Sequence, residues 1–248
     1  MYNPFTLSGK TILITGASSG IGRATAVESS RMGAACIITG RNAERLQETF
    51  NALEGEGHQQ FIADLTDQAD IESLVSQLPP LDGAVLCAGV GQTVPVQFAT
   101  REKFDKVFNT NFFSQAELIR LLYKKKVLKT AASVVFIASI GGITSFNYGN
   151  GIYGASKAAL NSYMKYCAYE FASRKIRVNS ICPGMVETPL IVRSAITEEQ
   201  NKQYIAKYPL KRLGTPEEIA YGAIYLLSDA SAWITGTSLF IEGGGDSH

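Results

Sequence analysis

Tyr153 and Lys157 stand four positions apart in Tyr153-Gly154-Ala155-Ser156-Lys157, a spacing that puts both on one face of a helix. A free phenol ionises near about pH 10, too high for ready proton exchange at neutral pH. A neighbouring ammonium favours the phenolate and lowers that value. The pair therefore reads as a general acid/base suited to interconverting a carbonyl and an alcohol. Two polar residues upstream are candidates to join it. Ser139 ends the apolar run Ser133–Ser139, and Asn111 interrupts the aromatic-rich stretch 108–113. Burying an amide such as Asn111 demands hydrogen-bond partners, whether backbone groups or water.

A second constellation lies near the start. The run Thr15-Gly16-Ala17-Ser18-Ser19-Gly20-Ile21-Gly22 follows the first apolar strand and opens a helical pattern. Glycines there permit a tight turn and close approach of a ligand, and a helix start offers free N–H groups to an anion. Ser18 and Ser19 add hydroxyl donors for phosphate. The stretch 16–20 also matches a Gly-x-Ser-x-Gly nucleophile elbow, but that chemistry needs a downstream histidine. Only His58 and His248 are present, and the turn follows the first strand rather than a later one. Gly9-Lys10-Thr11 mimics the end of a phosphate loop, yet the earlier glycine that motif requires falls on Pro4.

Both constellations need positioning elements, and the chain supplies them as an alternation. Strands are expected at Thr11–Thr15, Cys36–Thr39, His58–Ala63, Ala84–Cys87, Ser133–Ser139, Arg177–Ile181 and Ser238–Ile241. Helices are expected near 20–32, 42–54, 67–78, 101–129, 151–174 and 215–228. Continuous apolar strands separated by helices imply a parallel sheet covered on both faces. The expected fold is a single-domain, Rossmann-type, doubly wound α/β domain spanning 1–248, with about seven strands. The segment 189–213 breaks the alternation between Pro189 and Pro209. It reads as a lid over a substrate pocket, because ligands of such sheets bind at the carboxyl ends of strands.

Composition narrows the classes. With 23 basic and 22 acidic residues, the chain lacks the basic excess of a nucleic-acid binder. Four scattered cysteines form no Cys-x-x-Cys pair and signal neither a disulfide framework nor a zinc site. No metal centre is expected. No secretory signal opens the chain, and no apolar run approaches the roughly 18–20 residues that span a bilayer. The expected location is cytoplasmic, without membrane contact.

Turn, tetrad and their order resemble the short-chain dehydrogenase/reductase family across essentially the whole chain. The glycine turn is similar to its TGxxxGIG motif, and Asn111, Ser139, Tyr153 and Lys157 match its catalytic tetrad in order. Ala88-Gly89 resembles the end of its NNAG motif, with Leu86 and Cys87 in place of the asparagines, so any sheet-bracing role for those is lost or moved. Asn179–Gly184 followed by Val186-Glu187-Thr188 resembles the segment that holds nicotinamide. The stretches 209–218 and 241–244 are also family-like. The resemblance implies that Tyr153 protonates the carbonyl oxygen while Ser139 polarises it. It implies that Lys157 grips the nicotinamide ribose, and that Asn111 holds a water in a proton relay. It further implies cofactor contacts from Gly16, Ser18, Ser19, Gly20, Ile21 and Gly22, from Asp64 and Leu65 at the adenine, and from Ala88 and Gly89. Pro183, Gly184, Val186 and Thr188 would contact the nicotinamide end. Ser139 precedes Tyr153 by 14 positions, one more than is commonest in the family. The extra residue is expected to bulge within 141–151, with Ser145 as the less favoured substitute.

Cofactor choice turns on the end of the second strand, where a carboxylate selects NAD. Here Thr39-Gly40-Arg41-Asn42 has no acid, and the Arg41 guanidinium suits a 2′-phosphate. NADP is the expected cofactor, with NAD as the alternative. Overall likeness is greatest to 3-oxoacyl-(acyl-carrier-protein) reductases of fatty-acid synthesis. Lys124, Lys125, Lys126, Lys129 and Arg174 could form a patch for an acyl carrier protein, although cations also suit a helix C-terminus. Steroid, sugar or other small-alcohol dehydrogenases are the alternatives, and a dinucleotide-binding sensor without turnover is the alternative of another class. The apolar girth of helices 101–129 and 151–174, with the family resemblance, points to a homotetramer or homodimer.

Overall fold

Seven apolar runs pair into one all-parallel sheet in the computed structural model, which describes residues 2–189, 197, 199, 205–206 and 208–245. The strands are β1 Thr11–Thr15, β2 Ala35–Gly40, β3 Gln59–Ile62, β4 Leu81–Leu86, β5 Leu128–Ile137, β6 Arg177–Pro183 and β7 Ser238–Ile241. Their order is β3-β2-β1-β4-β5-β6-β7. The chain thus starts in the middle, winds to one edge, and returns to the other side of β1 as β4. That reversal opens a crevice between β1 and β4 at their carboxyl ends.

The helices are α1 Gly20–Arg31, α2 Ala43–Asn51, α3 Gln68–Gln77, α4 Arg101–Phe108, α5 Ser114–Lys124, α6 Gly151–Phe171 and α7 Pro216–Leu227. Successive strand side chains serve opposite faces. Leu13, Ile37, Leu86 and Phe136 pack with Leu74, Leu118, Leu122, Leu160 and Met164 from α3, α5 and α6. Ile12, Ile14, Ile38, Val85 and Val135 pack with Ala26, Leu46, Ala223, Ile224 and Leu227 from α1, α2 and α7. This is why the central strands read as apolar runs, while the edge strands β3 and β7 are part-exposed. Thr215 starts α7 with a reciprocal capping box to Glu218 and Pro216 in the first turn. At the far end Arg177 donates to the carbonyls of Leu226, Ser228 and Ile234 at 2.8–3.2 Å.

The helix expected at 101–129 is corrected on two counts. A π-helical turn, Asn109–Phe113, divides α4 from α5, with the Ser114 N–H bonded to Asn109 O. The helix then ends at Lys124, and Leu128 and Lys129 belong to β5. No glycine marks the stop, because Lys126 takes the left-handed conformation itself at φ 57°. A bulge opposite Asp82, with Ala131 at φ 65°, delays regular β4–β5 pairing until Gly83↔Ser133. Most of the lid expected at 189–213 lies outside the described residues, as does His248. Among the described residues no helix is long and apolar enough to cross a membrane.

Candidate functional site

The glycine turn sits at the crevice because β1 ends there. Gly16 (φ 66°) turns the chain where a side chain would press on the Ala88 backbone, and a Cβ on Gly22 would overlap the Gly16 carbonyl. The turn is pinned by Ala17 N–H to Thr39 O (3.1 Å) and by Thr49 Oγ1 donating to Ala17 O (2.9 Å). Ser19 is the N-cap of α1 but makes no side-chain cap bond, and the first turn carries no acid. Neither the Ser18 nor the Ser19 hydroxyl has a partner among the described residues. An uncapped helix start with two spare hydroxyls is a donor set suited to a phosphate. Thr188, beyond β6, stands over Gly20, where an added Cβ would lie 3.2 Å from its methyl. The segment after β6 is fixed by Gly184 N–H to Ile241 O and Gly214 N–H to Met185 O, both 3.0 Å. Ile140 N–H bonds Pro183 O at 3.1 Å, and Val186 is buried.

Across the crevice, residues 87–90 form a strap beyond β4, held by side chains. Thr15 Oγ1 accepts the N–H groups of Cys87 (2.9 Å) and Ala88 (3.1 Å). Gln115 Nε2 donates to Ala88 O at 2.6 Å. Asn111 Oδ1 accepts from Val90 N–H (2.8 Å), while its Nδ2 donates to Val90 O and Ser156 Oγ, both 3.0 Å. The bracing missing with Leu86 and Cys87 is thus supplied by Thr15, Gln115 and Asn111. Sequence reasoning missed Thr15 and Gln115 as site residues. A glutamine in an amphipathic helix ordinarily faces water, and only the π turn, which resets the helix face, signals otherwise.

The tetrad positions converge beside the strap. The Ser139 and Tyr153 side chains meet at Gly141, where an added Cβ would lie 3.3 Å from Ser139 Oγ and 3.8 Å from Tyr153 Cε1, and Ser139 Oγ accepts Gly141 N–H at 3.0 Å. The residues after Ser139 coil tightly, with the N–H groups of Ile143, Thr144 and Ser145 all on Ile140 O. Ser145 Oγ instead accepts from Asn147 at 3.2 Å. Lys157 is 4% exposed and donates to Ile137 O at 2.7 Å. A Cβ on Gly89 would lie 3.4 Å from Lys157 Nζ and 3.3 Å from Asn111 Oδ1, so the strap, Asn111 and Lys157 meet there.

Burial governs the electrostatics. It pulls Lys157 down to about 8, opposed in part by the Cys87 and Cys182 thiols. It also pushes the Tyr153 phenol up; the Ser139 bond acts against that rise and the Cys87 thiol adds to it. The expected depression of Tyr153 by a neighbouring ammonium is therefore corrected for the chain alone. Desolvation is the largest cause of the shift, and the Lys157 ammonium is directed to the Ile137 carbonyl. A phenol held high stays protonated at neutral pH, which suits a proton donor.

Arg41 and Asp64 meet at the far end of the crevice, 3.7 Å apart and well exposed. Burial raises Asp64, but hydrogen bonds from Thr66 and the Arg41 charge leave it lowered overall. The Leu65 side chain is 7% exposed and belongs to the core. His58 is structural: Nδ1 accepts Cys36 N–H at 3.0 Å and Nε2 lies 3.1 Å from Glu54 O.

An open groove of about 760 Å³ runs between residues 95–97 and the start of α6, lined by Pro95, Val96, Phe146, Tyr148, Asn150 and Gly154 among others; Tyr153 and Ser139 are not part of its lining. The basic patch lies elsewhere. Lys124–Lys126 and Lys129 flank the start of β5, and Arg174 bonds Leu128 O there (2.6 Å). At roughly 3.3 Å per residue along β5, that edge is about 30 Å from Ser139. Lys129 is also paired with Asp82 at 2.8 Å. Within one chain the patch and the tetrad are not brought together.

This topology, with a glycine turn at the reversal point, defines a dinucleotide-binding α/β protein. A family model described as Enoyl-(Acyl carrier protein) reductase matches residues 16–246. The chain is 36% identical to the 3-oxoacyl-[acyl-carrier-protein] reductase of Rickettsia prowazekii, covering 96% of this chain and 97% of that one. A solved short-chain dehydrogenase/reductase family protein matches with TM-score 0.87 at 32% identity, over 98% of this chain and 99% of the other. A structure from Beutenbergia cavernae, assigned as an NAD(P)-dependent gluconate 5-dehydrogenase and holding NADP at low occupancy, matches with TM-score 0.89 at 28% identity, over 99% and 100%. The chain belongs to the short-chain dehydrogenase/reductase family and is an oxidoreductase of that nicotinamide-dinucleotide-binding family.

Proposed function

We propose that the chain reduces a ketone to a secondary alcohol with NADPH, and that its substrate is a 3-oxoacyl thioester carried on acyl carrier protein. The observation that carries the reaction type is the meeting of the Ser139 and Tyr153 side chains at Gly141, one helical turn from the buried Lys157. Gly16 and Ser18–Gly22 would hold the pyrophosphate, and Asp64 and Leu65 the adenine. Ala88, Gly89 and Lys157 would hold the ribose, with Pro183, Gly184, Val186 and Thr188 at the carboxamide. When bound, the dinucleotide carries the hydride. Tyr153 then delivers its proton to the carbonyl oxygen, and Ser139 hydrogen-bonds that oxygen as charge develops. Lys157, charged below about 8, restores the proton to Tyr153. The Asn111 amide braces the strap, which leaves a water relay to its main-chain carbonyl. NADPH over NADH is supported by the exposed Arg41 guanidinium and by the absence of an acid at the end of β2.

The acyl substrate is supported by the named relative and by the apolar walls Pro95, Val96, Phe146 and Tyr148. A polyhydroxylated substrate is the second reading, favoured by Ser145, Asn147 and Asn150 in the same cavity. Residues 189–213 are proposed as the lid. Exposed Phe113, at the end of the π turn, and Tyr166 and Tyr169 of α6 support assembly of a homodimer or homotetramer on this side of the chain; a monomer by light scattering would end that part of the reading.

The test is NADPH oxidation, with NADH in parallel, against an acetoacetyl thioester, a keto-sugar, a ketosteroid and a simple diketone. Preference for the thioester supports the proposal, and preference for the keto-sugar selects the second reading. The variant Tyr153→Phe should abolish turnover while still binding NADPH. If wild type binds NADPH but turns over none of the panel, an untested substrate or the sensor alternative is left, and a wider panel separates them.

A further inference from the structure

Gln115 is a buried amide that the reaction does not use. It lies in the first turn of α5, directly after the π turn, and is fully inaccessible. Its Nε2 donates to Ala88 O at 2.6 Å, while its Oε1 has no partner among the described residues. Ladder pairing of β4 to β5 ends at Leu86↔Phe136, so the Ala88 carbonyl lies beyond the sheet. Gln115 is what holds it.

Stability does not account for this residue. Burying an amide for one hydrogen bond, with its oxygen left unpaired, is a weak stabiliser or a net cost. Methionine would fill nearly the same volume at no polar cost. What the amide does provide is a fixed position for the strap. The next residue, Gly89, closely approaches both Asn111 Oδ1 and Lys157 Nζ, which a Cβ there would meet at 3.3 and 3.4 Å, so a small shift of Ala88 changes that approach.

We propose that Gln115 is a positioning residue of the cofactor site, acting through the Ala88 carbonyl to set the strap against the bound dinucleotide. The assignment rests on the reading that Ala88 and Gly89 contact the cofactor. Thr15 and Asn111 hold the strap's N–H groups and its Val90 end; Gln115 alone, among the described residues, holds the Ala88 carbonyl.

The experiment compares wild type with Gln115→Met by NADPH titration, KM for NADPH, KM for the carbonyl substrate, and thermal midpoint. For Gln115→Met the Kd and KM for NADPH should rise about 3- to 10-fold, the loss of one hydrogen bond. The carbonyl KM should stay unchanged, and the midpoint should hold or rise. Gln115→Asn, which keeps an amide too short to reach Ala88, should show the same nucleotide defect and stands in if the methionine variant misfolds. Wild-type NADPH affinity in either folded variant overturns the proposal. A lowered midpoint with unchanged nucleotide binding does so too, by making Gln115 merely structural. If wild type binds neither NADPH nor NADH, the cofactor reading itself fails first.

Discussion

Replacing Lys157 with methionine removes an ammonium that is 4% exposed and ionises near 8 rather than 10.5. That depression corresponds to about 3 kcal/mol held against folding at neutral pH, since each unit is worth about 1.4 kcal/mol. The folded chain gives up this proton before the unfolded chain does. The penalty is therefore full below pH 8, shrinks as pH rises from 8 to 10.5, and is gone above that. Methionine also takes away the 2.7 Å bond to Ile137 O, a loss of about 1 kcal/mol. The net expectation is a gain of about 2 kcal/mol at pH 7, with turnover abolished. Urea denaturation of both proteins at pH 7 and pH 10 measures it. The gap between them should narrow or reverse at the higher pH. A variant less stable at pH 7, or a gap that ignores pH, would show that burial of this charge does not oppose folding and would refute the desolvation argument.

Four other outcomes are expected. In the reductive direction kcat/KM should be level near neutral pH and fall above about 8, as free Lys157 loses its proton; a profile flat to pH 10 would contradict this. Gly22→Ala should destabilise the fold by about 1–3 kcal/mol and abolish nucleotide binding, because the new methyl overlaps the Gly16 carbonyl. Arg41→Leu should weaken NADPH about 10- to 100-fold, the range for a charge-assisted hydrogen bond, and leave NADH unchanged in parallel titrations. Arg177→Met should lower stability by about 2–4 kcal/mol by stripping donors from the Leu226, Ser228 and Ile234 carbonyls. Its NADPH affinity at low temperature should be that of wild type.

The central strands were legible because they are buried on both faces and read as apolar runs bounded by turns, whereas the edge strands β3 and β7 are part-exposed and were read from their place in the alternation. The end of α5 was not legible, since Lys126 adopts the left-handed turn that a glycine would have announced. Ser139, Tyr153 and Lys157 were singled out by spacing and order; in the structure Ser139 Oγ and the Tyr153 ring meet at Gly141, while Ser145 Oγ is taken by Asn147. The direction of the Tyr153 shift was not readable, because burial depends on how α6 packs under the strap. Gln115 was hidden for a related reason: its face is set by a π turn that carries no sequence signature of its own. The separation of the lysine cluster from the tetrad followed only once β5 was known to run its full length between them.

The strap's backbone groups answer to side chains 21 to 73 positions away along the chain. Such bonds close only after β1, β4 and α5 have come together, so a partly folded chain has no crevice to offer. A nucleotide that fits the crevice therefore binds the native state alone and shifts the folding equilibrium by mass action, by about 2.7 kcal/mol at a hundred times its Kd. The nucleotide would then act as a folding ligand as well as a reagent. Resistance of this chain to unfolding and to proteolysis would then follow nucleotide supply.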